Sequence, residues 1–69
     1  MKQEKEIIDL KEGQELRINV EGFGAKNDAF GKYKGMIIFI KLKEEARKGD
    51  MINCKIISIK EKFSFAEEI

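Results

Sequence analysis

The sequence predicts an all-β chain, five short strands turned at glycine corners into a small closed or nearly closed barrel. Leu16, Ile18 and Val20 alternate with Arg17, Asn19 and Glu21, the period-two pattern of a half-buried strand. Met36 to Ile40 is an apolar run of five, too short for a helix and rich in residues of high β propensity. Glycines at 13, 22, 24, 31, 35 and 49 punctuate the chain, and proline is absent.

Residues 1–12 mix both charge signs around Ile7, Ile8 and Leu10, a segment too short to hold a helix without packing. They are expected to form a loosely pinned leader ahead of a barrel domain at 13–69. Gly13 opens the first strand, Gly22 and Gly24 end it, and Ala25 to Asp28 make a turn in which Asn27 suits a positive φ. The second strand runs from Ala29 to Lys34, and Gly31 inside it points to a bulge or a close backbone approach. After Gly35 comes the apolar third strand. Alternation sends Ile38 and Ile40 to one face and Ile37 and Phe39 to the other, so one set must face out of a one-core barrel. Lys43 to Lys48 has helix-forming residues and could make one helical turn within the 41–50 loop. In the fourth strand, Met51 to Lys60, the apolar positions 52, 54 and 56 give way to 57 and 59. That one-residue slip predicts a β-bulge. Phe63, Phe65 and Ala66 belong to the last strand.

At 69 residues the chain is one domain, with no room for a substrate cleft beside a cofactor cradle. It has no His and one Cys, which excludes a disulfide framework and a four-ligand zinc site. Ser58 and Ser64 have no His to activate them. No enzyme activity, metal or cofactor is therefore expected. No run approaches the ~18 apolar residues of a membrane span, and the N-terminus has no signal-peptide core, which points to the cytoplasm.

The net charge of +1 argues at first against a nucleic-acid partner, but its distribution argues the other way. Residues 1–23 carry four basic and six acidic groups, residues 24–62 ten and five, and residues 63–69 only Glu67 and Glu68. All six aromatic residues lie between 23 and 65, within or beside the basic middle. Cations interleaved with flat rings are what single-stranded nucleic acid needs. The same Lys residues also suit an ordinary solvated surface.

From Gly24 to Ala66 the chain resembles the TRAM domain, the small OB-like β-barrel attached to tRNA-modifying methyltransferases and methylthiotransferases. Gly24, Asp28, Lys32 and Gly35 fall on that family's glycine, acidic, basic and glycine positions. Ile37-Ile38-Phe39-Ile40 matches its apolar strand, Gly49-Asp50 its turn, and Lys62-Phe63-Ser64-Phe65-Ala66-Glu67 its ending. Asn27 and Ala29 stand where the family usually has glycines, Lys41 where it often has proline, and the 41–48 loop is about three residues longer. The resemblance implies a non-catalytic RNA-binding barrel, and for a stand-alone archaeal protein of this size a monomeric, cold-shock-like RNA chaperone. Its targets would be single-stranded or structured RNA of the tRNA, rRNA or mRNA kind.

The resemblance favours Phe39 facing outward as a stacking platform. Phe63 either plugs the barrel end or stacks on a base beside Lys62. Tyr33, between Lys32 and Lys34, is a third candidate contact, whereas Phe30 is expected in the core. Lys41, Lys43, Arg47, Lys48 and Lys62 are candidate phosphate contacts, Arg47 above the lysines because its planar fork both stacks and binds phosphate. Cys54 between Ile52 and Ile56 is expected in the core. The rival reading is a protein-interaction module that docks through an exposed Phe39 or Phe63. Lysines gathered around the aromatics favour RNA; lysines scattered away from them favour a protein.

Overall fold

The computed structural model describes residues 10–24 and 28–69. Residues 25–27 of the expected turn and most of the leader lie outside them, and Asp28 opens a strand. Six strands form one sheet: β1 (Glu15–Asn19), β2 (Gly22–Phe23), β3 (Asp28–Tyr33), β4 (Met36–Lys41), β5 (Met51–Ile59) and β6 (Phe63–Glu68). Their order across the sheet is β1-β5-β6-β4-β3-β2, antiparallel except for the parallel pair β4 and β6.

The first expected strand is thus two pieces of one segment. β1 pairs with β5, and the Val20 N–H carries that pairing on by donating to the Asp50 carbonyl at 2.8 Å. One residue later the Glu21 N–H donates to the Phe30 carbonyl at 2.8 Å, and β2 pairs with β3. A strand that changes partner at a bend is how a small sheet turns a corner. Because β1 and β2 are also the two edges of the sheet, the handover curls it back on itself into a half-barrel.

Gly31 is where the curl is tightest. A methyl group there would overlap the Asn19 carbonyl oxygen and stand 2.5 Å from Ile18 Cγ2. The expected close approach is real, and it is the end of β1 crossing β3. Ala29, at a position where glycine was expected, lies fully buried in the same strand without a positive φ.

The core is built from inward residues of every long strand: Ile18, Val20, Ala29, Ile38, Ile40, Ile52, Cys54, Ile56 and Ala66, with Leu42 from the loop after β4. Each fully buried isoleucine contributes roughly 1.5–3 kcal/mol of hydrophobic stabilisation. Ser64, the one buried polar side chain among the described residues, donates from Oγ to Met36 Sδ at 3.0 Å. Cys54 is fully buried; burial first, and the charge of Glu68 second, push its thiol up to about 11, so it stays protonated at neutral pH. The bulge expected in β5 is at Ile57. Ile56 faces Ala66 in register, Ser58 faces Phe65, and Ile57 is the extra residue between them.

The composition of Lys43 to Lys48 does not produce a helical turn. Asp50 Oδ2 accepts the Arg47 N–H at 2.8 Å, and the Asp50 N–H returns to the Arg47 carbonyl at 2.9 Å. That local carboxylate closes a turn on the bond a helix would need, and one helical turn is too short to outweigh its nucleation cost. Leu42 and Ala46 instead anchor the loop to the core, while Glu68 Oε1 accepts the Lys43 N–H at 2.7 Å. Leu10 packs against the same core just ahead of β1. Among the described residues no helix is long and apolar enough to cross a membrane.

Candidate nucleic-acid interface

The strand alternation that fills the core leaves a second set of side chains on the outer face, in rows across neighbouring strands. One row runs Lys32, Ile37, Phe63; the next runs Phe30, Phe39, Phe65. A third runs Asp28, Lys41, Glu67, Lys55, Glu15, alternating in charge across five strands. The aromatic rows form one cluster with Phe39 at its hub. Its ring centroid is 6.3 Å from Phe30, 5.8 Å from Phe63 and 5.8 Å from Phe65, while Phe63 and Phe65 meet edge to face at 5.4 Å.

Phe39 is therefore outward and partly buried, its solvent side shared with neighbours. Phe63 and Phe65 are 36% and 37% exposed, so neither plugs the barrel. Phe30 is not a core residue. Ala29 and Gly31 take the inward positions, and Phe30 projects outward over Gly22, where a methyl group would come within 2.6 Å of its Cζ. Tyr33 has the opposite parity. It packs partly buried against the core at the β3–β4 end and does not share the aromatic face.

Ile57, outward in β5 and 46% exposed, stands at the bulge beside Phe65. An open cavity of about 630 Å³ lies over this part of the face, lined by Phe39, Ile57, Phe65, Asp28 and Lys41, with Ile40 and Ala66 beneath. Phe65, Phe30 and Ile57 were absent from the expected site. Their signals were present in the shared parity of Phe63 and Phe65 and in the slip after Ile56.

The cations divide by position. The β3–β4 turn and the β5–β6 turn lie at the same end of the sheet, since Tyr33 pairs with Met36 and Ile37 with Phe63. Lys32, Lys34, Lys60 and Lys62 lie in or beside these two turns, with Glu61 between the last two. Arg47 and Lys48 belong to the loop at the opposite end, roughly 17 Å away along β4. There Asp28, Glu44, Glu45, Asp50, Glu67 and Glu68 outnumber Lys41, Lys43, Arg47 and Lys48.

One of the clustered cations is held under strain. Lys34 and Gly35 form the two-residue β3–β4 hairpin with φ of 52° and 85°, the pattern of a type I′ turn. Left-handed backbone costs a residue like lysine ~1–2 kcal/mol, less for asparagine. The Lys34 ammonium stands 5.5 Å from the Tyr33 ring centroid, within cation–π range. Lys34→Asn is expected to stabilise the fold by about 0.5–1 kcal/mol, seen as a higher urea midpoint with unchanged slope.

This barrel belongs to the TRAM domain family, which matches it over residues 9–69. The domain is a nucleic-acid-binding module generally associated with RNA. The chain is 34% identical over 62 residues to an uncharacterized protein of Methanocaldococcus jannaschii, an alignment covering 90% of this chain and 77% of that one. Its fold is similar to the solution structure of a conserved protein of Methanococcus maripaludis. The TM-score is 0.73 at 32% identity, covering 91% of this chain and 86% of that one.

Proposed function

We propose that the protein binds single-stranded or unpaired RNA without catalysis and acts as a low-specificity RNA chaperone. The observation that carries this reading is the outward aromatic cluster of Phe30, Phe39, Phe63 and Phe65, flanked at one end by Lys32, Lys34, Lys60 and Lys62. Bases stack on the rings and phosphates meet the lysines. Tyr33 contributes by steadying Lys34, while Lys41, Arg47 and Lys48 are secondary contacts among acidic neighbours. A protein that prefers unpaired strands shifts the RNA folding equilibrium toward open forms, needing no ATP. Weak, salt-sensitive binding suits that role, because tight binding would trap the RNA. As part of the same reading the protein works as a cytoplasmic monomer.

The test is a titration of unstructured RNA at several salt concentrations. With ~3–4 phosphates contacted, log K should fall against log salt with a slope near −2 to −3. Reversing Lys34 and Lys62 to Glu should weaken binding and flatten the slope by about 1–2, whereas reversing Arg47 and Lys48 should change it less. A slope near zero would sink the proposal and favour an apolar protein partner on the same face.

A further inference from the structure

The cavity beside the aromatic hub has a chemistry of its own. Its walls are the rings of Phe39 and Phe65 and the side chain of Ile57 on the outer face of β5, an apolar slot for a flat group. Its polar boundary consists of two side chains, Asp28 and Lys41, directly opposite each other in the β3–β4 register. One is an acceptor of two hydrogen bonds and the other a donor only. At about 630 Å³ the cavity is large enough for a single nucleoside.

Resting on the RNA reading above, we infer that this cavity is a subsite for one unpaired guanine base. Guanine's Watson–Crick edge presents, in order, the O6 acceptor, the N1–H donor and the N2 amino donor. A carboxylate accepts two parallel N–H groups in the geometry of its paired bonds with arginine, so N1–H and N2–H meet Asp28. Lys41 then donates to O6. The other bases fit worse. Adenine and cytosine each offer one amino group beside a bare ring nitrogen, whose lone pair would face the carboxylate. Uracil offers a single N3–H flanked by two carbonyls, so one carboxylate oxygen is left against an acceptor. A buried polar group left facing its own kind is what lets a site reject an analogue.

The bulge sits beside the slot. Alternation along β5 already sends Ile57 outward, since Ile52, Cys54 and Ile56 point inward, and the extra residue sets Ile57 and Ser58 together against Phe65. The alternating charged row also matters. In that row Lys41 stands between Asp28 and Glu67, and Lys55 lies on the far side of Glu67. The preference is confined to this one position, so a low-specificity strand binder acquires a favoured register and not a sequence motif.

The test compares hexauridylate with hexamers carrying one central guanosine, adenosine or cytidine, in lithium buffer to suppress quartets. The native protein should bind the guanosine hexamer roughly tenfold more tightly than hexauridylate, the low end of discrimination for a bidentate contact. Asp28→Asn, which retains the shape and exchanges one acceptor for a donor, should bring that ratio to near one while binding of hexauridylate persists. Lys41→Met gives a second readout, lowering the ratio in the same direction should Asp28→Asn fold poorly. Equal binding of all four hexamers, a preference for adenosine or cytidine, or a ratio that survives both substitutions overturns the subsite and leaves the RNA reading standing. Failure to bind any hexamer overturns both.

Discussion

Replacing Gly31 with alanine is expected to remove most of the stability of the fold. The added methyl would overlap a backbone atom, the Asn19 carbonyl oxygen, and press on Ile18 Cγ2, itself fully buried. A side chain could swing aside; the Asn19 carbonyl cannot, because β1 is tied to β5 from Glu15 to Asn19 and the Val20 N–H is held by Asp50. Relief therefore means lifting the end of β1 from β3 and opening the barrel at its handover corner. Overpacking costs typically 1–3 kcal/mol, and moving a paired strand puts this case at the upper end or beyond, about 3–5 kcal/mol. A domain of this size has ~3–10 kcal/mol in total. Urea denaturation followed by circular dichroism should show the midpoint collapse or no folded baseline. Gly35→Ala is the control. It has a positive φ but nothing within 4 Å, so it should lose only the ~1–2 kcal/mol of left-handed backbone. Equal losses from the two would mean that conformational freedom, not the close crossing of β1, is what Gly31 supplies.

The same crossing explains which parts of the molecule were legible in the sequence. Period-two alternation exposed β1, and its slip after Ile56 exposed the bulge, because both depend on the geometry of a single strand. The glycine inside β3 announced the crossing, and the parity of the central strand left Phe39 only two faces to choose between. Phe30 was misplaced for a reason the crossing supplies. The inward positions of β3 must be small where β1 passes, so Ala29 and Gly31 hold them and the largest residue goes out. Hydrophobicity alone ranks those three residues the other way round. The split of the first strand was also hidden. A change of partner between Val20 and Glu21 is a tertiary event with no local signature beyond Gly22. Lys43 to Lys48 has good intrinsic helix propensity, but a carboxylate at Asp50 and anchors at Leu42 and Ala46 override it. The gathering of Lys32, Lys34, Lys60 and Lys62 needed the register of two turns far apart in the chain. Segment sums could show that the middle is basic but not which end of the sheet is.

The second large effect is expected at the aromatic hub, where one substitution separates the two functions this face could serve. Phe39 and Phe65 share the cavity wall, and their rings tilt by 31° at 5.8 Å, close enough to parallel to present one stepped surface. Stacking is worth ~1–3 kcal/mol per base, so Phe39→Ala with Phe65→Ala should weaken RNA binding roughly a hundredfold, measured by fluorescence anisotropy at constant salt. Phe39 also meets Phe30 and Phe63 edge to face, and such pairs contribute ~0.5–1.5 kcal/mol each. The double alanine variant should therefore lose some stability as well, and Phe65→Leu is the cleaner probe. Leucine keeps most of the apolar area at an exposed position where Phe65 does not support the core. An apolar protein contact would tolerate it, since hydrophobic burial has no direction. A stacked base would not, because leucine has no flat face and no π surface. RNA affinity should fall about tenfold in Phe65→Leu and return in Phe65→Tyr, with the thermal midpoints of all three proteins within a few degrees. Native affinity in Phe65→Leu would mean that the ring is only apolar surface, and the aromatic face would have to be assigned to a protein partner.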